Sequence, residues 1–184
     1  MLGSLVTVPA LDRPDLLAPP VAEALAALPA DARAQVLVAE IDPDLADTAA
    51  FCAAHGVTLE QSANCVVVAG RRGETTTLAA CVVLATTRAD VNGLVRKRLG
   101  ARKASFAPMD TAVEASGMEF GGITPVGLPA AWPVLVDAAV LAQPWVVVGS
   151  GLRRSKLVLP GALLADLPGA ETVEGLGVPV PQPD

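Results

Sequence analysis

Two apolar runs rich in β-branched residues, Ala63–Ala69 (ANCVVVA) and Thr75–Thr86 (TTTLAACVVLAT), are joined by the turn Arg71-Arg72-Gly73. Side chains branched at Cβ suit a pleated strand, and a short glycine-containing connection folds the chain back on itself. The stretch therefore predicts a β-hairpin whose first strand is buried. Around it, Pro and Gly punctuate shorter elements. Pro19-Pro20 opens a helix over Val21–Leu28 that Pro29 ends, and Gln35–Ile41 (QVLVAEI) reads as a strand. Asp44 or Asp47 can cap the Ala-rich helix that Gly56 closes, and Asp90 can cap a basic helix over Val91–Leu99 closed by Gly100. Arg102–Phe106 is strand-like, and Pro108–Ser116 predicts a helix ended by Gly117. Val134–Val136, Trp145–Val148 and Lys156–Leu159 read as strands, followed by a helix over Gly161–Leu167 and a last short strand. Adjacent hairpin pairs mixed with helices predict an α+β fold rather than a regular doubly wound sheet.

A length of 184 residues is enough for one core but not for two independent ones. Hydrophobic residues at 52% and charged residues at 17% exclude wholesale disorder. The chain has one His, three Cys and no Tyr, so a two-His zinc site is impossible. Cys52, Cys65 and Cys81 lie far apart in apolar stretches without a CxxC pair, which predicts buried free thiols and a reducing compartment. The N-terminus has no basic region before an apolar core, so no signal peptide is expected. The longest apolar stretch, Val126–Gly149, is interrupted by Pro129, Pro133, Asp137 and Pro144 and is no spanning helix. A soluble, cytoplasmic protein without membrane contact is expected.

The net charge of −6 argues against a general nucleic-acid coat, but the charge is segregated. Residues 1–60 carry two basic and nine acidic side chains, whereas residues 61–160 carry eleven basic and six acidic. Arg96, Lys97, Arg98, Arg102 and Lys103 fall within eight positions, and Arg153, Arg154 and Lys156 form a second group. Such groups suit either solvated faces and hairpin tips or an anionic partner that touches one face, because local potential decides phosphate attraction.

The loop Gly121–Gly127 (GGITPVG) permits close backbone approach and can turn several N–H groups toward a carbonyl oxygen or phosphate; as a bland alternative it is a tight turn. No Gly-Lys-Ser/Thr follows it and GxGxxG is absent, so it is neither a Walker A loop nor a dinucleotide fingerprint.

In order along the chain stand a basic helix with an Arg-Lys strand (Val91–Ser105), Ser116-Gly117, Gly121-Gly122, Pro125 and Gly127. After them come an apolar strand ending in Asp137 and a Gly149-Ser150-Gly151 turn feeding Lys156–Leu159. This order and spacing, over roughly residues 35–175, resembles the YbaK/ProX family of prolyl-tRNA editing domains. The resemblance implies a mixed, mostly antiparallel barrel-like β-sheet flanked by helices. It implies hydrolysis of the ester of mischarged aminoacyl-tRNA, such as Ala- or Cys-tRNA(Pro), without metal or cofactor. The Gly/Pro loop would hold the ester and the terminal adenosine, and chemistry would be substrate-assisted, through a ribose hydroxyl or a positioned water. An aminoacyl ester is activated, so backbone N–H donors can suffice without a Ser-His-Asp triad. His55, beside Gly56 at a helix end, then reads as a C-cap cation rather than a base.

The resemblance assigns catalytic roles to Asn64, Gly121, Gly122 and Asp137. It assigns substrate contacts to Pro125, Gly127, Ser150, Gly151 and Thr86, and tRNA phosphates to Arg102, Lys103, Arg153 and Arg154. A bulky Cβ at Gly122 is expected to block the ester. Asp137 has two readings, as a partner for the substrate ammonium or as a cap of the turn that follows. Asn64 stands where many family members carry a lysine; it offers a carbonyl and an amide but no point charge. That departure keeps a second reading open, a non-catalytic module that binds aminoacyl-tRNA or an amino-acid derivative. An aminoacyl-tRNA synthetase is a possible partner. The expected organisation is an N-terminal extension with a short helix (1–34), the editing-like domain (35–175) and a Pro-rich tail (176–184).

Overall fold

The computed structural model describes residues 2–180. After β1 (Thr7–Pro9), two prolines start α1 (Pro19–Ala27), which is followed by the single turn α2 (Ala30–Arg33) and by β2 (Leu37–Glu40). A helix α3 (Thr48–His55) ends on Gly56 in the left-handed conformation, at φ 64°. The predicted hairpin is present as β3 (Ala63–Arg72) and β4 (Thr75–Leu84), paired over its whole length from Ala63↔Leu84 to Arg72↔Thr75. β5 (Thr87–Ala89) leads to Asp90, whose carboxylate accepts from Gly93 N at 3.0 Å and Leu94 N at 2.8 Å, as a cap should. The turn it caps, Val91–Val95, is π-helical and runs into α4 (Arg96–Arg98). Next come β6 (Lys103–Phe106) and α5 (Met109–Ser116), then β7 (Val134–Asp137), α6 (Ala138–Leu141), β8 (Val146–Gly149) and β9 (Ser155–Leu159). Two short strands, β10 (Ala170–Val173) and β11 (Gly177–Pro179), complete the described chain.

These strands form two main sheets. One is antiparallel, in the order β1-β2-β9-β8, and the other is mixed, in the order β10-β7-β4-β3-β6. The sheets do not close into a barrel among the described residues. They touch along one seam, through a parallel bridge between Ser62 and Val147. β4 is central and covered on both faces. Its Ala80, Val82 and Leu84 enter the principal core, while Cys81 and Val83 enter a second cluster with Val68, Val95 and Leu176. Burial on both faces explains why its sequence is a continuous apolar run rather than an alternation.

The N-terminal segment, expected as an extension over residues 1–34, contributes to the principal core: Leu16, Leu17, Ala18, Val21 and Leu25 are all buried there. The start of the expected Pro-rich tail is also structured, because β11 pairs with β5 through Gly177↔Ala89 and Pro179↔Thr87. Residues 181–184 of that tail lie outside the described residues. No helix among the described residues is long and apolar enough to cross a membrane.

All three cysteines are free. Loss of solvation raises their thiols, Cys81 to about 12 and Cys65 higher still. The thiolate is the reactive form. We therefore expect Cys65 and Cys81 to resist a disulfide-exchange reagent at neutral pH and to react fully once the chain is unfolded in denaturant, which thiol titration measures.

Candidate active site

Along one edge β3 pairs with β4 without a break, but its other edge is shared. Residues Val68–Arg71 pair with β6, and Ala107 N donates to Val67 O at 2.9 Å. Ser62, just before the strand, bridges to β8. Between these two attachments the edge of β3 is unpaired, and there a cleft of about 350 Å³ opens. Its floor is Ala63–Val67 of β3, Val147–Gly149 of β8 and Lys156 of β9. The start of α3 (Ala46, Asp47, Thr48) forms one wall, and Phe106, Met109, Phe120 and Gly121 form the opposite rim.

Asn64 reaches this cleft from β3. Its Oδ1 accepts from Thr48 Oγ1 at 2.6 Å, and no group among the described residues accepts from its NH₂. With the carbonyl already occupied, Asn64 offers donors and suits an acceptor on a ligand. Lys156 is 8% exposed, its Nζ donates to Ala46 O at 2.9 Å, and it stands 5.6 Å from the centre of the Phe51 ring. Burial pushes its ammonium below the usual lysine value, Arg153 adds to this, and the charge of Asp47 opposes it. Asp47 occupies the N-cap position of α3, yet its carboxylate makes no capping bond and lines the cleft instead.

The two glycines of the loop divide. Gly121, at φ 80°, lines the cleft, and its N–H makes no hydrogen bond among the described residues. Gly122 turns away: its N–H donates to Glu119 O at 3.0 Å, its carbonyl accepts from Gly151 N, and a Cβ there would meet Leu152 backbone at 2.6 Å. A side chain at 122 would thus disrupt the loop's packing, not block an ester.

Several other assigned residues also lie outside the cleft. Asp137 caps α6 through Ala139 N at 2.8 Å and holds β11 through Gly177 N, so its buried carboxylate is satisfied by backbone amides. Ser150 is fully buried and bonded to Ser155 Oγ at 2.7 Å, and Ser155 in turn donates to Leu16 O. At Gly127 a Cβ would meet Pro20 O, and at Gly151 one would meet the Ala18 side chain, so both glycines let the loops pack on α1. Pro125 is buried, and Thr86 sits in the turn between β4 and β5. Glycine and serine at these positions carry the same sequence signal as a ligand loop because close packing and ligand approach both demand small residues.

Residues 42–167 match the aminoacyl-tRNA editing domain family. The chain belongs to that family. Among solved structures, the editing domain is similar to a candidate trans-editing enzyme for prolyl tRNA synthetase, at 23% identity and TM-score 0.69, covering 86% of this chain and 97% of that one. It is similar also to the hypothetical protein APE2540, at 21% identity and TM-score 0.67, covering 77% and 90% of the two chains. These likenesses show the YbaK-like fold. No curated protein matches.

Around the cleft of this editing domain the sequence left three rim residues unmarked. Phe106, Met109 and Phe120 are 60%, 51% and 57% exposed, although apolar. The sequence shows only that aromatic residues are few, three Phe and no Tyr; that two of the three Phe rings stand exposed at one mouth is a tertiary fact. Arg153 ties this rim together, donating to Phe120 O and Pro43 O, while Arg154 donates to Asp15 O. Arg102 and Lys103 lie elsewhere, at the exposed tip of the hairpin, where Lys103 pairs with Arg71. β6 nevertheless connects the two places: Lys103 is about 10 Å along the strand from Phe106 at roughly 3.3 Å per residue.

Asp137→Ala should destabilise the domain by about 1–2 kcal/mol through loss of the cap; melting curves check this. Lys156→Met should be more stable than the native protein at neutral pH. That difference should shrink as pH rises through the lowered folded value of Lys156 toward 10.5, because the charged form, which burial penalises, then disappears from the folded state before the unfolded one. Denaturant midpoints against pH measure it.

Proposed function

We propose that this editing domain hydrolyses the ester of mischarged aminoacyl-tRNA in trans. The observation that carries the reading is the convergence of Asn64 and Gly121 on one cleft at the unpaired edge of β3. Asn64 NH₂ donates to a ribose or carbonyl oxygen of the substrate, and the Gly121 N–H faces the oxyanion that forms when water adds to the ester carbon. One such donor is worth on the order of 10²–10³ in rate. The substrate's own ribose hydroxyl orients the water, a role no protein side chain has to fill. Asp47, which lines the cleft, supports a contact with the α-ammonium in this reading. Phe106 and Phe120 stack on the terminal bases, and Lys103 with Arg71 continues the path for the phosphates. Such stacking tolerates any base because every base has a π-face.

The absence of a lysine at position 64 supports the alternative, a binding module without turnover. Incubation with a panel of mischarged tRNAs, Ala- and Cys-tRNA(Pro) included, decides between them: we expect deacylation of at least one. Tight binding of a non-hydrolysable aminoacyl-adenosine with no turnover would select the binding module. Asn64→Ala should lower kcat/KM roughly 2- to 13-fold, in line with about 0.5–1.5 kcal/mol for a hydrogen bond. Phe106→Ala and Phe120→Ala should each raise KM roughly 5- to 100-fold, from about 1–3 kcal/mol of stacking per base, and leave the melting temperature unchanged because both rings are exposed.

A further inference from the structure

Two charged residues of the described chain are buried, Asp137 and Lys156. Asp137 is compensated by two backbone amides. Lys156 is not compensated in the same way. Among the described residues its Nζ has one acceptor, Ala46 O, and the face of the Phe51 ring. No carboxylate of the described residues lies within ion-pair distance of it; the ion pairs among them, Arg13 with Asp15 and Glu40, and Arg98 with Glu171, are at the surface. An ammonium carries three N–H donors, so two remain without a partner at the floor of the cleft. A buried cation left this way destabilises a fold, and an apolar side chain of the same length would be tolerated better. Departures of this kind are expected where a site needs the group.

Position decides what it serves. Lys156 pairs across the ladder with Gly149, and a Cβ at Gly149 would meet Gly122 O and Ile123 O, so Lys156 stands beside the loop that carries Gly121. Exposed cations at the rim and hairpin tip are available for hydrated phosphates; a desolvated ammonium on the floor suits an oxygen that becomes charged only during reaction. Resting on the deacylase reading above, we propose that Lys156 is a catalytic residue that holds the carbonyl oxygen of the aminoacyl ester and stabilises its oxyanion. Water adds its oxygen to the carbonyl carbon while the π pair moves onto the carbonyl oxygen beside Nζ. Collapse of that oxyanion breaks the bond to the ribose oxygen, which leaves with the proton the water has given up. The products are a free amino acid and a ribose hydroxyl, and Lys156 keeps its proton throughout. Asn64 carries no charge, so the cation that acts on the ester enters from β9 instead of β3.

The test uses the full chain with Lys156→Met and Lys156→Gln. Lys156→Met should lose 10²–10³-fold in kcat with KM within about threefold of native, and its melting temperature should not fall; Lys156→Gln should lie between the two in kcat. Native-like kcat in a folded Lys156→Met protein would overturn the proposal while leaving the deacylase reading intact. A second measurement needs no variant to fold: binding to the native protein of an adenosine-linked phosphonate analogue of the aminoacyl ester, against its uncharged amide counterpart. Binding of the anionic analogue at least 100-fold tighter supports the assignment, and equal binding overturns it. If the native protein deacylates no tRNA, the parent reading fails, and the analogue comparison repeated with Lys156→Met still decides whether Lys156 holds an anionic oxygen: an anion preference unchanged in the variant overturns the assignment.

Discussion

The site depends on one strand edge serving two neighbours. β3 cannot follow β6 and β8 at once, because adjacent strands twist relative to one another and the two partners belong to different sheets. The edge is paired at its far end, bridged at its near end, and left open between. Open strand edges are an aggregation hazard unless something covers them. Here the start of α3, the start of α5 and the glycine loop roof the opening, which makes the cleft a consequence of topology and not of loop mobility. The opposite edge of β3 is paired without a break to β4, which is buried on both faces, so the β3 part of the floor is held in register.

Charge is distributed by the same geometry. An overall charge of −6 describes neither the cleft nor its surroundings. One ammonium is desolvated on the floor, one carboxylate stands on the wall, and the remaining cations near the mouth are solvated. Desolvation strengthens a charge toward whatever enters and weakens its tie to water. Solvated cations give a salt-sensitive attraction for a phosphate chain. In the proposed function, binding a nucleic-acid end and acting on its ester thus fall to different groups.

Much of the fold was legible because the signals are local. The hairpin follows from β-branched runs and a glycine turn, and the Asp90 cap and the glycine ends of α3 and α5 follow from orphan amides and carbonyls that must be satisfied within a few residues. The family was legible from the order of many elements, and of the assigned residues Asn64 and Gly121 do meet in the cleft. Gly122, Gly127, Ser150, Gly151 and Asp137 lie outside the cleft, and one reason makes their sequence signal ambiguous. Small residues and acidic caps look the same in sequence whether they face a ligand or a neighbouring backbone.

Lys156 shows where the limit falls. In sequence it belongs to a basic trio with Arg153 and Arg154, and nothing local distinguishes the three. Lys156 lies inside β9, which is buried along its whole length between β2 and β8, while Arg153 and Arg154 stay at the surface in the turn before it. Asp47 and Thr48 likewise become cleft residues only because α3 packs across the seam, 16 residues from Asn64 in the case of Thr48. By itself the sequence determined the elements, their caps and the family, since those rest on short-range hydrogen bonding and side-chain pattern. The tertiary structure alone decided which cation is desolvated, which amides stay unpaired and which aromatic rings remain exposed, because each of these is set by contacts between segments far apart in the chain.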